Sequence, residues 1–366
     1  MSQGRAGTPI RWTFLAPALP RPAGGLFALF QHANAIARRG RAAVRLVHLP
    51  TAEGRLRGPS DIPWFVFDPT IEHVFPSRLA AESLPDADVV VYTVMAVQLC
   101  TAREAGAGGR LLLECLQAPF SAAGRPILFV QALGVFPADV ERLALSGAGL
   151  KVCVSSWIAA SLVGTGVRAT EVAYVPNGLD HGTFRVIRPI GSRPARVAMN
   201  FDPHPVKNMD AGIDALANLH RDTGVTSVLF GTRPPGRPLP RGLEFLDSPG
   251  QVQLAESVYN GATLYLQPGT LEGFGLCALE AMACGCALVT TSNGGSSEYA
   301  LDGETAVLCG PEPSAMADTM TKLVADDERR VRIASAAAKS AMRFQWEVSA
   351  GKFERLATQY LAEPVR

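Results

Sequence analysis

The sequence predicts an α/β protein of two doubly wound, parallel-sheet domains. Three observations carry that expectation. The chain has 366 residues, 48% of them hydrophobic, which is longer than one compact domain needs and enough for two cores. Short apolar runs alternate with longer segments of helical periodicity, the pattern of parallel strands joined by crossover helices. The alternation breaks once, at the loop-rich passage VPNGLDHGTFRVIRPIGSRP, and then restarts.

In the first half the apolar runs Arg11–Leu15, Val44–Leu49, Val89–Thr93, Leu111–Glu114, Ile127–Val130 and Lys151–Ser155 read as strands. Leu26–Arg39 reads as a helix, because Leu26, Phe30, Ala33, Ile36 and Ala37 recur at helical spacing between Gly24-Gly25 and Gly40. The interruption places a boundary near residue 190. Beyond it come strand Arg196–Met199, helix Asp210–His220, strand Ser227–Phe230, helix Gln251–Tyr259 and strand Thr263–Gln267. A helix over Gly275–Ala283, strand Ala287–Thr291 and helices from Pro313 onward complete the pattern. The expected domains are therefore 1–190 and 191–345, with a last segment, 346–366, crossing back onto the first. Open α/β sheets bind ligands beyond the carboxyl ends of their strands, so two facing sheets predict a site in the cleft between them.

Composition excludes several classes. Lys+Arg 34 against Asp+Glu 33 leaves a net charge of +1, which argues against a nucleic-acid partner. The cysteines number seven and show no repeated C-x-x-C spacing, so a zinc site is not expected and buried thiols in a reducing compartment are. MSQGRAGTPIRW lacks the apolar stretch of a signal peptide, and no window approaches the ~20 apolar residues of a membrane span. A cytoplasmic protein is the expectation. Arg38, Arg39 and Arg41 suit the C-terminal dipole of the first helix, with peripheral contact to anionic lipid as the alternative.

The densest chemistry lies in LQPGTLEGFGLCALEAMA. Here a strand ends at Pro268, a glycine-bearing loop follows and a helix begins near Gly275. The backbone N–H groups of Gly273, Phe274, Gly275 and Leu276 would point out of that helix N-terminus, a ready site for a diphosphate. Glu272 and Glu280 flank the turn, and carboxylates accept hydrogen bonds from the paired hydroxyls of a sugar or ribose. On spacing alone, a capping Glu272 and a surface Glu280 explain the pair equally well.

Glu272 and Glu280, seven residues apart in EGFGLCALE, resemble the E-x7-E signature of retaining GT-B glycosyltransferases of family 4. The continuation AMACGCALVTTSNGGSSEYALDGETAVLC is similar to that family as well; the likeness spans roughly Val172–Phe353 and, more weakly, Gly24–Gly40. The resemblance implies two Rossmann-like domains, donor sugar contacts for Glu272, the ribose diol for Glu280, and sugar and phosphate contacts for the amides of Gly273–Leu276. It assigns Lys207, in NFDPHPVKN, to the diphosphate, where a leaving group gains negative charge. Two departures stand out. Asp202 occupies the place of a family arginine, for which His204 or Arg233 could substitute, and Gly269 replaces a common serine.

In the first half, the amides of Gly24-Gly25 are candidates to approach donor phosphates or acceptor, a ligand-free tight turn being the alternative. The stretch GGLFALFQHANAIARRG resembles the family subset that includes bacterial rhamnosyltransferases. A lone helical His32 is read as structural. Gln117, after LLLEC, and Gln131, after ILFV, are the polar candidates for the reacting carbon; Gln117 is taken into the catalytic set beside Glu272 and Lys207, with the choice open. Asp86-Ala87-Asp88 is read as a turn before a strand in preference to a metal site.

The expected activity is sugar transfer from a UDP, GDP or TDP sugar, with no further cofactor. The acceptor is a hydroxyl of a glycan, a lipid-linked molecule or a small molecule, met by loops such as Thr51–Ser60 and Gln117–Arg125. A sugar-nucleotide epimerase or hydrolase on the same fold, or a non-catalytic nucleotide-sugar binder, are the rivals.

Overall fold

A computed structural model describes residues 9–52, 55–80, 84–118 and 124–364. Of the loops expected to meet an acceptor, residues 53–54 and 119–123 lie outside this description, as do residues 1–8 of the N-terminal segment. The chain divides into two compact units, one of residues 1–176 with 346–366 and one of residues 177–345.

The first unit is a seven-stranded sheet built from β1 (Ile10–Pro17), β2 (Ala42–Leu49), β3 (Glu72–Val74), β4 (Val89–Tyr92), β5 (Arg125–Val130), β6 (Leu150–Cys153) and β7 (Val172–Tyr174). The order is β3-β2-β1-β4-β5-β6-β7 and every pairing is parallel. Strands buried on both faces need continuous apolar runs, and Val89–Tyr92 and Ile127–Val130 supply them with every residue buried. Its helices are α1 (Gly24–Arg38), α2 (Val94–Thr101), α3 (Gly106–Gln117), α4 (Ala138–Ser146) and α5 (Ser156–Gly164). Gly40, with φ +67°, ends the first of these in the left-handed geometry that favours glycine.

Leu111–Glu114 is not a strand but part of α3. A short leucine run does not distinguish the two by itself. The residues that bury are Gly109, Leu112 and Leu116, at helical spacing, while Leu111 stays 48% exposed.

The second unit is a six-stranded parallel sheet of β8 (Arg196–Asn200), β9 (Thr226–Gly231), β10 (Leu243–Asp247), β11 (Leu264–Gln267), β12 (Ala287–Thr290) and β13 (Ala306–Leu308), ordered β10-β9-β8-β11-β12-β13. It carries α6 (Met209–Thr223), α7 (Gln251–Gln253, continued by a π-helical turn over Leu254–Tyr259), α8 (Leu276–Ala283), α9 (Pro313–Ala325) and α10 (Asp327–Ala341). Val197, Met199, Leu216, Leu264, Leu266, Val289, Met316 and Ile333 form the heart of its core.

The boundary falls between Pro176 and Asn177, ahead of residue 190, because the linker packs onto the second unit. The Leu179 amide donates to the Phe344 carbonyl, and the amides of Ile187 and Arg188 donate to Asn260 Oδ1 at 2.9 and 3.2 Å. The last helix, α11 (Trp346–Ala362), groups with the first unit. There Trp346 and Phe353 close with Phe129 around His32, with ring centroids 5.2–5.4 Å from the imidazole. Arg39 pairs with Glu354, which commits one of the three arginines at the end of α1 to packing of this helix. Among the described residues, no helix is long and apolar enough to cross a membrane.

Candidate donor site at the switch point of the second sheet

In the second sheet the strand order reverses between β8 and β11, and the loops leaving their carboxyl ends flank that point. The loop after β8 ends in a 3₁₀ turn, Pro205–Lys207, and the loop after β11 runs through Glu272 to the start of α8. Asn208 joins them. Its φ of +54° lets the chain turn from Lys207 into α6, and its side-chain amide donates to the carbonyls of Pro268 and Pro311 at 3.2 and 3.0 Å. The Thr270 amide donates to the Val206 carbonyl at 2.8 Å.

This zipper brings Lys207 Nζ to 2.8 Å from both carboxylate oxygens of Glu272. The pair is partly buried, with side chains 25% and 12% exposed. Burial opposes the charge on Lys207, but the Glu272 carboxylate, with Asp202 adding to it, outweighs that and holds the ammonium above its usual pKa. Asp202 is therefore part of the site's electrostatics. It also fixes the turn, accepting from the His204 amide at 3.0 Å. His204 in turn accepts the Lys207 amide at 2.9 Å, while Arg233 lies exposed just past β9.

The other side of the loop is held by the turn after β12. The Glu272 amide donates to the Asn293 carbonyl at 2.8 Å and the Gly295 amide donates back to the Glu272 carbonyl at 3.0 Å. A Cβ at Gly295 would lie 2.7 Å from the Phe274 nitrogen, so only glycine permits this approach. Gly275 caps α8 at φ +84°, and a Cβ there would meet Tyr299 Oη at 2.4 Å and Gln267 Nε2 at 2.7 Å. Tyr299 Oη sits 2.9 and 2.8 Å from the carbonyls of Phe274 and Gly275, fixing this turn from behind. Among the described residues the amides of Phe274, Gly275 and Leu276 donate to no backbone carbonyl. Those N–H groups and the α8 dipole can accept an anion. Gly269 packs close as well: a Cβ would lie 3.3 Å from the Val206 carbonyl and 3.4 Å from Glu272 Oε1, leaving little room for serine.

Glu280 is not a surface residue; it is 7% exposed on the inner face of α8. Tyr259 Oη donates to its Oε2 at 3.0 Å. Burial pushes the Glu280 carboxyl up to about 8, and the tyrosine hydroxyl opposes that rise by favouring the carboxylate.

In the first unit the two glutamines part company. Gln131 follows β5 and donates to the Gly25 carbonyl at 2.6 Å, so it sits at the Gly24-Gly25 turn. Gln117 ends helix α3 and donates to the Leu143 carbonyl at 2.9 Å. Its choice for the catalytic set rested on a strand that does not form, and it ties α3 to α4 instead. His32 is buried among rings, and burial lowers its pKa to about 3. Asp86 and Asp88 both bind the Arg11 guanidinium, at 2.6 and 2.9 Å. Among the described residues, no group of three or more His, Cys, Asp or Glu is arranged to hold a metal. Tyr259, Asn208, Asn293, Gln267 and Tyr299 were not among the sequence candidates; polar residues beside the strand ends and the glycine turns were their only signal.

Two parallel α/β sheets, each with its turns at a switch point, place the chain in the GT-B class of folds. Residues 240–340, which lie within the second unit, match the family Glycosyl transferases group 1. A D-inositol 3-phosphate glycosyltransferase of Corynebacterium urealyticum is 35% identical over 117 residues, 32% of this chain and 27% of that protein. One from Frankia alni is 31% identical over 210 residues, 49% of this chain and 51% of that protein. The chain thus spans between a quarter and a half of these two relatives. Sucrose-phosphate synthase from Thermosynechococcus elongatus superposes with a TM-score of 0.73 over 96% of this chain and 99% of its own, at 16% identity. Anabaena Alr3699/HepE, solved in complex with UDP and glucose, gives 0.70 over 96% and 100%, at 19% identity.

Proposed function

We propose that the chain is a retaining glycosyltransferase that takes a sugar from a nucleoside diphosphate sugar and passes it to a hydroxyl acceptor. The observation that carries this reading is the Lys207–Glu272 pair, set beside the α8 N-terminus at the sheet's switch point. One cation, an array of backbone amides and a carboxylate answer three needs at once. The bond from anomeric carbon to diphosphate breaks, the acceptor oxygen bonds to that carbon, and the acceptor proton leaves with the departing phosphate. Lys207 and the α8 amides stabilise the growing phosphate charge, and Glu272 orients the sugar through its hydroxyls. Glu280 accepts the ribose hydroxyls. Asp86 and Asp88 are engaged with Arg11, which supports a reaction that draws no ion from them.

Gln131 at the Gly25 turn replaces Gln117 as the residue of the first unit assigned to the reacting sugar. A glutamine cannot act as a base, which suits proton transfer to the leaving phosphate. Seven unpaired cysteines support a reducing, cytoplasmic setting.

The test is thermal unfolding with UDP, GDP, ADP and TDP, followed by incubation with sugars of whichever nucleotide binds. A nucleotide at 100 times its Kd adds about 2.7 kcal/mol, a shift of several degrees. Consumption of the donor sugar only when an acceptor is supplied supports transfer. Rapid turnover without one identifies a hydrolase or epimerase, and an intact donor with every acceptor identifies a binder.

A further inference from the structure

Tyr259 ends the π-helical turn that precedes β11, and the i→i+5 bond from the Asn260 amide to the Ala255 carbonyl at 3.0 Å marks the extra residue. Single-turn π-bulges are rare and occur frequently at functional sites. The placement of the Tyr259 side chain is over-determined. The ring is fully buried and lies edge-on to Phe230 at 5.7 Å, with Tyr265 at 5.9 Å and Phe184 at 6.1 Å. Its carbonyl accepts from Arg193 Nη1 at 3.3 Å.

Arg193 is itself buried and has no carboxylate among its bonded partners. Its guanidinium donates to the carbonyls of Arg188, Tyr259, Ala262 and Cys284 and to Asn260 Oδ1. One side chain therefore locks the 259–262 turn to the C-terminal end of α8, the helix that carries Glu280. Tyr259 and Glu280 are held on the same frame, with their bond at 3.0 Å.

We propose that Tyr259 is a positioning residue for nucleotide recognition: its hydroxyl occupies one oxygen of Glu280 and turns the carboxylate to accept a ribose diol, so that the site selects ribonucleotides over their 2′-deoxy counterparts. The inference rests on the donor-site reading above. A free carboxylate rotates and accepts one hydroxyl as readily as two. A carboxylate pinned by a buried donor presents fixed lone pairs, and a missing 2′-hydroxyl leaves one of them unsatisfied in a site that excludes water.

Binding of UDP and 2′-deoxy-UDP, and of the GDP and ADP pairs in parallel, to the full chain and to Tyr259→Phe, at a pH above 8 so that Glu280 is ionised, tests this. The phenylalanine keeps the ring packing. The expected result is that the wild-type chain prefers the ribonucleotide by roughly 10-fold, and that Tyr259→Phe weakens ribonucleotide binding by a similar factor while changing the 2′-deoxy form less than about twofold. Equal losses for both forms would make Tyr259 a packing residue and overturn the inference, leaving the donor site intact. If neither chain binds any of the nucleotides, the donor-site reading fails and the inference falls with it. A second variant, Tyr259→Leu, removes ring and hydroxyl together; a preference for ribonucleotide retained in that variant would also overturn the proposal.

Discussion

Lys207 Nζ lies 2.8 Å from both oxygens of Glu272, so the cation and the carboxylate of the candidate donor site are bonded to each other. On the proposed donor-site reading, a phosphate entering beside the α8 N-terminus would compete with Glu272 for the ammonium and in doing so would free the carboxylate for sugar hydroxyls. The two residues then have separable roles. Glu272→Ala is expected to keep nucleotide affinity, since Lys207 loses a competitor, and to lose at least ~10²-fold in turnover if an orienting carboxylate contributes a few kcal/mol. Titration of nucleotide together with donor-sugar kinetics checks this; near-normal turnover would remove Glu272 from the mechanism.

Gln131 and Gln117 make a matched control. Gln131→Ala is expected to lower turnover ~10-fold or more with nucleotide affinity unchanged, if Gln131 serves the reacting sugar as proposed. Gln117→Ala is expected to lower the melting temperature by a few degrees through the lost bond to Leu143, and to leave turnover per folded molecule unchanged. The reverse pattern would restore Gln117.

The buried Glu280 gives the second unit a pH slope. Its folded pKa, about 8, lies above the unfolded carboxyl value, so the folded state holds the proton longer. Stability from this group is full at acidic pH and is lost as pH rises from near 4.5 through 8, at up to ~1.4 kcal/mol per pH unit. The ionisable groups facing it are Tyr259, Tyr265, Cys277 and Cys284, all held neutral in this range by burial. Glu280→Gln should remove this group's share of the slope, and the difference in unfolding free energy between the two chains at pH 5, 6.5 and 8 reads it, since the His32 contribution is common to both.

His32 gives the first unit the opposite slope. Burial among Phe129, Trp346 and Phe353 holds it neutral to about pH 3, whereas the unfolded imidazole takes a proton near 6.5. Stability is therefore full above 6.5 and declines as pH falls toward 3. His32→Phe should melt at a higher temperature than the wild type at pH 5, with a smaller gap at pH 7.5. An identical gap at both pH values would show that His32 does not titrate on unfolding.

Gly275→Ala places a Cβ 2.4 Å from Tyr299 Oη at a φ of +84°. The expected cost is ~1–3 kcal/mol of stability together with loss of nucleotide binding, measured by denaturant midpoint and titration. Unchanged binding would show that the amides of this turn do not contact the ligand.

Much of this arrangement was legible from residues alone. Alternating apolar runs predicted two parallel α/β sheets because strands buried on both faces must be apolar throughout, as in Val89–Tyr92. Glu272, Glu280 and Lys207 stand out by resemblance to the E-x7-E family pattern; spacing alone leaves a capping Glu272 and a surface Glu280 just as open, and burial of Glu280 is what removes the second of these. Leu111–Glu114 was not legible, since a short leucine run fits either periodicity and only burial of Leu112 and Leu116 decides it. The strands Glu72–Val74, Leu243–Asp247 and Ala306–Leu308 are too short or too mixed to stand out. Asn208 and Tyr259 act through tertiary geometry, a left-handed turn and a π-helical bulge, and neither leaves a local pattern.

The most direct test of the central claim is the affinity of Lys207→Ala for the nucleoside diphosphate that most stabilises the wild-type chain. The account predicts binding at least ~10-fold weaker, with the fold intact, because a charge-assisted contact to phosphate is lost. Equal affinity in the two chains would mean that the diphosphate does not lie at the Lys207–Glu272 pair, and the assignment of this site to the donor would be wrong.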